Sequence, residues 1–323
     1  MRASKKVMGV LISGVLVFSL TLIAGCGGGG GTVSEGGGGT PTLAGTVSGT
    51  AIKGPVANAT VTAFSINASG ARGGAIGTGK TDAQGNFSIQ VGDYSGPMML
   101  QMTGGSYMDE ATGMNTNMAQ NDSLTCVIPS MPAGPMMSGI QMTPLTSMAQ
   151  NMAKFMTGGM TAANIAAANN AVSQYFSINN VLFTPPMNPL VQNAGQGADQ
   201  NMKNYGMTIA AMSQYANMMG MQNSSNMVTD MMNDVADGQM NGMMGGLSIV
   251  MGGGMMDGTT PGGGMMDGTT TPGGKMMPAD AGTGGMATAM MKFIQSPMNK
   301  SGVTVQDMKA LMDKLSASGG IML

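Results

Sequence analysis

Three groups of residues in this 323-residue sequence carry side chains that could do chemistry. Cys26 follows a long apolar run and offers a thiol that can be acylated. Asp109 and Glu110 form an adjacent acidic pair, which could bind a cation or exchange a proton. Residues 252–278 repeat methionine pairs among glycines, and thioethers are ligands for soft metal ions. The surrounding elements decide between these chemistries and purely structural roles.

Cys26 stands at the end of a three-part leader. Arg2, Lys5 and Lys6 make a positive start, and residues 7–24 are apolar apart from Gly, Ser and Thr. This is the layout of a secretory signal. The competing interpretation is a transmembrane helix, because the run is close to the roughly 20 residues that a bilayer core requires. Small residues that end in a cysteine and are followed at once by glycines favour the signal.

The residues before the cysteine resemble the lipobox of bacterial lipoproteins, with Ile23, Ala24 and Gly25 leading to Cys26. The resemblance implies cleavage before Cys26 and acylation of the new N-terminus by chains such as palmitate. Each buried methylene contributes about 0.8 kcal/mol, so several chains give a durable anchor. Gly27 is not the Asp that commonly retains such proteins in the inner membrane. The resemblance therefore implies a lipid-anchored protein of the outer membrane, facing the periplasm or the cell surface.

The composition argues against an enzyme and against a nucleic-acid partner. The sequence contains no His, the usual side chain of metal sites and of acid–base catalysis at neutral pH. Ser and Thr are plentiful, but no recognisable motif places a base beside them. Loss of the leader leaves ten basic and 15 acidic residues, a net charge of −5, and no basic patch is visible. The 43 methionines greatly outnumber the leucines and take positions where leucine is ordinary.

The sequence predicts an α+β protein: a small antiparallel β-sandwich, then a mostly helical, Met-rich domain with a disordered Gly/Met loop. We assign residues 1–25 to the signal peptide and 26–41 to a lipidated, Gly-rich tether. Residues 42–129 are the β-sandwich module. Residues 140–323 are the helical domain, which includes the low-complexity repeat 252–278.

Short alternating strands separated by turn residues predict the sandwich. Residues 81–86 read as a turn, after which Phe87, Ile89 and Val91 alternate inward. Residues 49–62 (GTAIKGPVANATVT) and 81–89 (TDAQGNFSI) resemble the two signatures of the carboxypeptidase-regulatory-like (transthyretin-like) β-sandwich module. That resemblance implies a non-catalytic spacer or binding unit over about 43–128. The departure from the pattern is methionine at positions where aliphatic residues are ordinary: Met98, Met99, Met102 and Met108.

Beyond residue 140 the apolar period becomes helical. Thr143 and Thr161 read as N-caps, a third helix covers roughly 198–219, and a fourth begins near Ser225. Thr304 starts the last helix, with Asp307 completing a weaker capping box. Methionine at helical spacing is expected to pack in the core rather than to bind metal.

Two groups outside the repeat have structural interpretations. Asp109-Glu110 has no recognisable partner, so we expect a solvated loop, or at most a calcium contact. Cys126 lies in a predicted strand and is expected to be a buried, inert thiol. The alternatives for Cys126 are an intermolecular disulfide or a soft-metal ligand.

The repeat has four interpretations. Its thioethers could wrap Cu(I) or Ag(I), which soft sulfur ligands select. It could be an adaptable surface for partner proteins, an oxidant sink through reversible sulfoxide formation, or a plain linker. The candidate metal ligands are Met255, Met256, Met265, Met266, Met276 and Met277.

We therefore expect a non-catalytic, envelope-anchored lipoprotein that acts as a structural or protein-interaction module at the outer membrane. Its partners would be the membrane, through the lipid on Cys26, and other envelope proteins. The alternative is a soft-metal-binding envelope protein that uses clustered methionines, with Cu(I) as the one cofactor considered.

Replacing the acceptor thiol tests the anchor. Cys26→Ala should abolish membrane association, because no acyl chain can then be attached. Fractionation of cells, followed by a high-salt wash of the membranes, measures it. A variant that stays with the washed membranes would exclude the lipobox interpretation.

Overall fold

A computed structural model describes residues 45–131, 136–252 and 275–322. All of them belong to one compact unit, Thr42–Leu323. The leader, the lipobox residues Ile23, Ala24 and Gly25, and Cys26 lie outside the described residues.

The fold is α+β, with the strands concentrated before residue 143 and the helices after it. One sheet has the strand order β4-β1-β9 and a second has the order β3-β2-β5-β8. Two short hairpins, β6-β7 and β10-β11, complete the strands. The strands are β1 (Gly45–Ala51), β2 (Thr60–Ile66), β3 (Arg72–Lys80), β4 (Asn86–Gly92), β5 (Met98–Thr103), β6 (Ser106–Met108), β7 (Asn115–Asn117), β8 (Ser123–Ile128), β9 (Met136–Met142), β10 (Met243–Met244) and β11 (Leu247–Ser248).

The described residues contain six α-helices after these strands begin, and buried side chains from the strands and helices form one continuous apolar core. Helix α1 packs on α2 and on β8, α3 packs on α5, and α5 packs on α6. Many of the core side chains are methionines, including Met148, Met212 and Met290. The helices are α1 (Pro144–Phe155), α2 (Ala162–Tyr175), α3 (Gln200–Met218), α4 (Ser225–Asp234), α5 (Gly284–Ile294) and α6 (Val305–Ala317).

The turn before β4 forms as its sequence predicts. The Asp82 carboxylate accepts hydrogen bonds from the backbone N–H groups of Gln84 (2.9 Å) and Asn86 (2.8 Å). Gly85 has a φ of 80°, a conformation that glycine adopts without strain. The alternating apolar residues of β4 that follow are buried. Local side-chain chemistry therefore fixes this register.

Strand β3 was not predicted, because its sequence, RGGAIGTGK, lacks alternation. Its glycines allow the backbone of β3 to lie close to β4, which belongs to the other sheet. A Cβ on Gly77 would lie 2.3 Å from the carbonyl oxygen of Gln90, and one on Gly79 would lie 2.8 Å from that of Ser88. The absence of side chains lets the two sheets meet along this edge.

Strand β9 is a second addition to the prediction. The predicted boundaries leave residues 130–139 outside both domains, but Met136–Met142 pairs with β1 in parallel. The first sheet is therefore mixed, whereas β1-β4, β2-β3, β2-β5, β5-β8 and β6-β7 are antiparallel pairs. Because β9 leads directly into the cap of α1, it joins the sheet to the helices.

The helix starts agree with the caps read from the sequence. The Thr143 side chain accepts from the backbone N–H groups of Leu145 and Thr146, and Thr161 accepts from that of Asn164. The Thr304–Asp307 capping box is also present. Helix α5 was not predicted, because it begins at two glycines, which have poor helix propensity.

Strand β8 is the edge of its sheet, yet all six of its residues are buried. Helix α1 covers the edge with polar side chains. The Thr125 N–H donates to Ser147 Oγ (2.8 Å), and the Thr146 hydroxyl donates to the Thr125 carbonyl oxygen (2.8 Å). From α2, Asn169 Nδ2 donates to the carbonyl oxygen of Val127 (3.1 Å). These side chains satisfy backbone groups that a further strand would otherwise pair.

Removing one of these side chains should destabilise the fold. Ser147→Ala leaves the buried Thr125 N–H without an acceptor, which costs about 1–3 kcal/mol. Urea unfolding of the soluble chain measures the change. The control is Ser316→Ala, which truncates an exposed serine on α6 and should stay within about 0.5 kcal/mol of the wild type. Equal losses in the two variants would contradict the proposed covering of the edge.

Candidate functional site

Most of the predicted metal ligands lie outside the described residues: Met255, Met256, Met265 and Met266. The third pair is split between surface and core. Met276 is 43% exposed and forms a β-bridge with Val250, whereas Met277 is buried. Cys126 is a buried free thiol, as expected, and burial raises the pKa of this thiol.

The structure corrects the expectation for the acidic pair. Asp109 and Glu110 do not form a solvated loop, because they are 5% and 2% exposed. Their partner is Lys53, which is fully buried in the turn between β1 and β2. Asp109 and Glu110 directly follow β6, and the turn that begins there places both side chains beside the lysine. We call Lys53, Asp109, Glu110 and the hydroxyls that bind them, Ser213 and Ser224, the Lys53 cluster.

All three donors of the Lys53 ammonium have an oxygen partner. Nζ lies 2.8 Å from Glu110 Oε2 and 3.0 Å from Ser224 Oγ, and it also donates to Ser213 Oγ. Asp109 Oδ2 lies 3.9 Å away. Ser213 lies on α3 and Ser224 immediately precedes α4, so the ammonium joins the β-strand region to two helices.

The two serine hydroxyls that accept hydrogen bonds from Lys53 also donate hydrogen bonds to the two acids. The Ser213 hydroxyl donates to Glu110 Oε2 (2.6 Å), and the Ser224 hydroxyl donates to Asp109 Oδ2. The other oxygen of Asp109 accepts from the backbone N–H groups of Ala111 (3.1 Å) and Thr112 (3.0 Å). The polar groups at the centre of the cluster are therefore paired, as burial requires.

Tyr107 closes one side of the cluster. Its hydroxyl donates to Asn223 Oδ1 (2.9 Å) and lies 3.1 Å from Ser224 Oγ. Its ring centroid lies 5.0 Å from Lys53 Nζ, within the range of a cation–π interaction. Burial is the main cause that raises the pKa of Tyr107, although the Lys53 charge acts in the opposite direction.

The environment keeps Lys53 protonated. Burial is the largest influence and would lower the lysine pKa, but the Glu110 charge, Tyr107, the Asp109 charge and the Glu110 hydrogen bond together raise it above 10.5. A serine nucleophile activated by lysine needs a neutral amine to accept its proton. The Lys53 cluster lacks that base at neutral pH.

The cavity that Glu110 lines offers little space for a substrate. The cavity beside Glu110 has a volume of about 40 Å³, enough for a few water molecules at most. Within the described ranges, no three His, Cys, Asp or Glu side chains are grouped so that they could hold a metal ion. The arrangement therefore does what a buried ion pair can do, which is to hold elements together.

A second set of buried acids lies on helix α4 and beside it. Asp122, from the loop before β8, accepts from the hydroxyls of Ser225 and Thr229 (2.8 Å to Thr229). Asp230 accepts from the Gly252 N–H at 3.0 Å, and Asp234 Oδ1 accepts from three backbone N–H groups over residues 241–243. Burial raises the pKa of Asp230 and of Asp234 to about 7, against the opposing effect of these N–H groups.

The Lys53 cluster was missed because its members are far apart in the sequence. Lys53 is 57 residues from Glu110 and 160 from Ser213. One signal was available: a single lysine inside the apolar stretch AIKGPV, in a chain with one adjacent acidic pair.

Among the helices of the described residues, none is both long and apolar enough to cross a bilayer.

Breaking the ion pair should be costly. Lys53→Met leaves Glu110 and Asp109 buried without a cation, and the expected loss of unfolding free energy is roughly 3–5 kcal/mol. The double variant Lys53→Met/Glu110→Gln should lose less, because one unpaired charge is removed. Chemical denaturation measures both.

The control for this series is Lys309→Met, which breaks the exposed Lys309–Asp313 pair on α6. It should change stability by no more than about 0.5 kcal/mol. A Lys53→Met variant as stable as this control would show that the cluster does not hold the fold.

The buried acids of α4 predict a pH dependence. Because the pKa values of Asp230 and Asp234 rise from 3.8 to about 7, the folded chain keeps protons that the unfolded chain loses. Their contribution to the unfolding free energy therefore falls as pH rises from about 4 to about 7. Relative to Asp230→Asn/Asp234→Asn, the wild type should lose stability between pH 5 and pH 8. Parallel profiles of urea unfolding would contradict this.

Comparison with known proteins does not identify a family. No protein-family model matches the chain, and no curated protein matches it. Among solved structures, a 9R-lipoxygenase from Cyanothece PCC8801 aligns at 8% identity and a TM-score of 0.22. That alignment covers 64% of this chain and 26% of the lipoxygenase, so the chain spans about a quarter of that enzyme's length. A likeness this low carries no argument about fold or activity.

Proposed function

We propose that this protein is a non-catalytic, lipid-anchored envelope protein that acts as a structural or protein-interaction module at the outer membrane. The observation that carries the proposal is the Lys53 cluster. Its buried ionisable and hydroxyl side chains bind one another, and the one cavity described beside it, next to Glu110, has a volume of only about 40 Å³. The chemistry that the sequence offers there is used to hold β6, α3 and α4 in place.

The finer architecture belongs to the same proposal. The two sheets over residues 45–142 would form a β-sandwich of the carboxypeptidase-regulatory-like kind, followed by a Met-rich helical region. Supporting it are the turn at Asp82, the inward alternation of β4, and the close approach of Gly77 and Gly79 to that strand. Such a module would present surfaces to partners without changing them.

The anchor supplies the location. Cys26 would carry the acyl chains, and residues 27–41 would tether the compact unit at a reach on the order of 20 Å. Other envelope proteins are the expected partners, and nucleic acid is not, because the mature chain would carry a net charge of −5.

Cross-linking in cells tests this function. The anchored chain should cross-link to a defined set of envelope proteins, and a Cu(I) chelator should leave that set unchanged. Cys26→Ala is the matched control: it should lose the outer-membrane members of the set while the folded unit stays intact. Cross-links that vanish on chelation, or a set unchanged by Cys26→Ala, would contradict the proposal.

A soft-metal role is the second candidate, and one observation favours it. Met219, Met221 and Met251 line an open cleft of about 510 Å³. The cleft lies where the chain enters and leaves residues 253–274, because the Met251 N–H donates to the Lys275 carbonyl oxygen (2.9 Å). Three thioethers at one cleft are a donor set that selects Cu(I) over harder ions.

A Cu(I) titration against a chromogenic competitor decides this candidate. The soluble chain (Cys26→Ser, residues 26–323) should bind Cu(I) stoichiometrically, and Met219→Leu/Met221→Leu/Met251→Leu should weaken binding at least about tenfold. Met286→Leu/Met290→Leu, which alters buried methionines of α5, is the control. No competition by the wild-type chain would exclude the metal role.

A further inference from the structure

A cleft of about 290 Å³ lies where α2 meets the end of β8 and residues 179–183. Its lining is rich in amides and hydroxyls but contains no charged side chain. The polar lining residues that matter here are Asn169, Asn170, Asn179, Asn180 and Ser173, and the aromatic one is Phe183. No member of the Lys53 cluster lines this cleft.

Asn169 leaves a hydrogen-bonding atom unused in the wall of the cleft. It is 8% exposed, and its Nδ2 donates to the Val127 carbonyl oxygen, which fixes which end of the amide carries the oxygen. Oδ1 is buried and has no hydrogen-bond partner. A buried acceptor without a donor costs about 1–3 kcal/mol. A ligand hydroxyl would recover that energy if the side chain turned to expose Oδ1, which is covered in the free cleft.

The neighbouring side chains supply further donors and acceptors. Within the described part of the chain, the side-chain amides of Asn170 and Asn179 make no hydrogen bond, and both residues are exposed. Ser173 Oγ accepts from the Val181 N–H (3.0 Å), which leaves its hydroxyl proton to donate. The side-chain oxygen of Asn180 accepts from the Leu182 N–H (2.9 Å), so the NH₂ group of this side chain points away from that N–H. An amide pairs with a hydroxyl in either direction, because it both donates and accepts.

Phe183 provides the apolar half of the site. Its side chain is 46% exposed, although aromatic rings are usually buried in a core. An exposed ring beside free amides can stack on the C–H face of a sugar ring while the amides bind its hydroxyls. Directed polar groups beside an apolar or aromatic surface are the usual construction of a small-molecule site.

From this geometry we propose that the cleft binds a neutral saccharide, about one pyranose ring at a time. An ionic ligand would find no counter-charge in the lining and would have to lose its hydration. A purely apolar ligand would leave Asn169 Oδ1 unpaired. A volume of about 290 Å³ is just below the range of about 300–1,000 Å³ that is usual for ligand sites, so the site suits one ring of a longer chain.

The saccharide could come from peptidoglycan or from a surface polysaccharide, and the two sources differ in the N-acetyl group. The probes are therefore N-acetylglucosamine and its trimer in one arm, and glucose and maltotriose in the other. Saturation-transfer NMR and calorimetry on the soluble chain (Cys26→Ser, residues 26–323) measure binding. At least one arm should bind, and the trimer in that arm should saturate the same site as its monomer.

Variants locate the site. Phe183→Ala and Asn170→Ala/Asn179→Ala change exposed residues, so these chains should fold, and each should weaken binding at least about tenfold. Phe155→Ala removes a partly exposed aromatic side chain of α1 outside the cleft and should leave binding unchanged. Absence of binding in both arms, or binding that the cleft variants do not weaken, would overturn the proposal. Either result would leave the anchor and the envelope role untouched.

Discussion

The buried ammonium of Lys53 is the constraint on which the rest of the structure depends. A fully buried charge is tolerated only when opposite charge and hydrogen-bond acceptors surround it. Glu110, Ser213 and Ser224 supply these partners, and they come from the end of β6, from α3 and from the start of α4. Separation of the helical region from the strand region would therefore remove two of the three hydrogen-bond partners of the ammonium, Ser213 and Ser224.

The covered edge of β8 imposes the same kind of constraint on α1. Its buried backbone groups need partners, and Ser147 and Thr146 provide them. Directional bonds matter here because the core is rich in methionine, whose flexible side chain packs well but specifies position weakly. In this chain the polar contacts define the geometry, and the thioether core supplies the apolar burial.

Local features of the sequence predicted the parts of the fold that local chemistry decides. Thr143, Thr161 and Thr304 cap their helices by bonding to N–H groups a few residues away, and Asp82 sets its own turn. The elements that were missed depend on distant partners: the glycines of β3 matter only where β4 lies against them, and α5 is stabilised by packing on α3. The Lys53 cluster was missed for the same reason, since no pattern in the sequence relates Lys53 to Ser213.

The protonation state of Lys53 tests the central claim most directly. The ¹⁵Nζ resonance of Lys53, assigned by its absence in Lys53→Met, can be followed as the pH is raised. A structural ammonium should stay protonated, with a pKa above the ordinary 10.5. A Lys53 that loses its proton near neutral pH would contradict the account, because a neutral amine hydrogen-bonded to Ser213 is what a serine nucleophile requires.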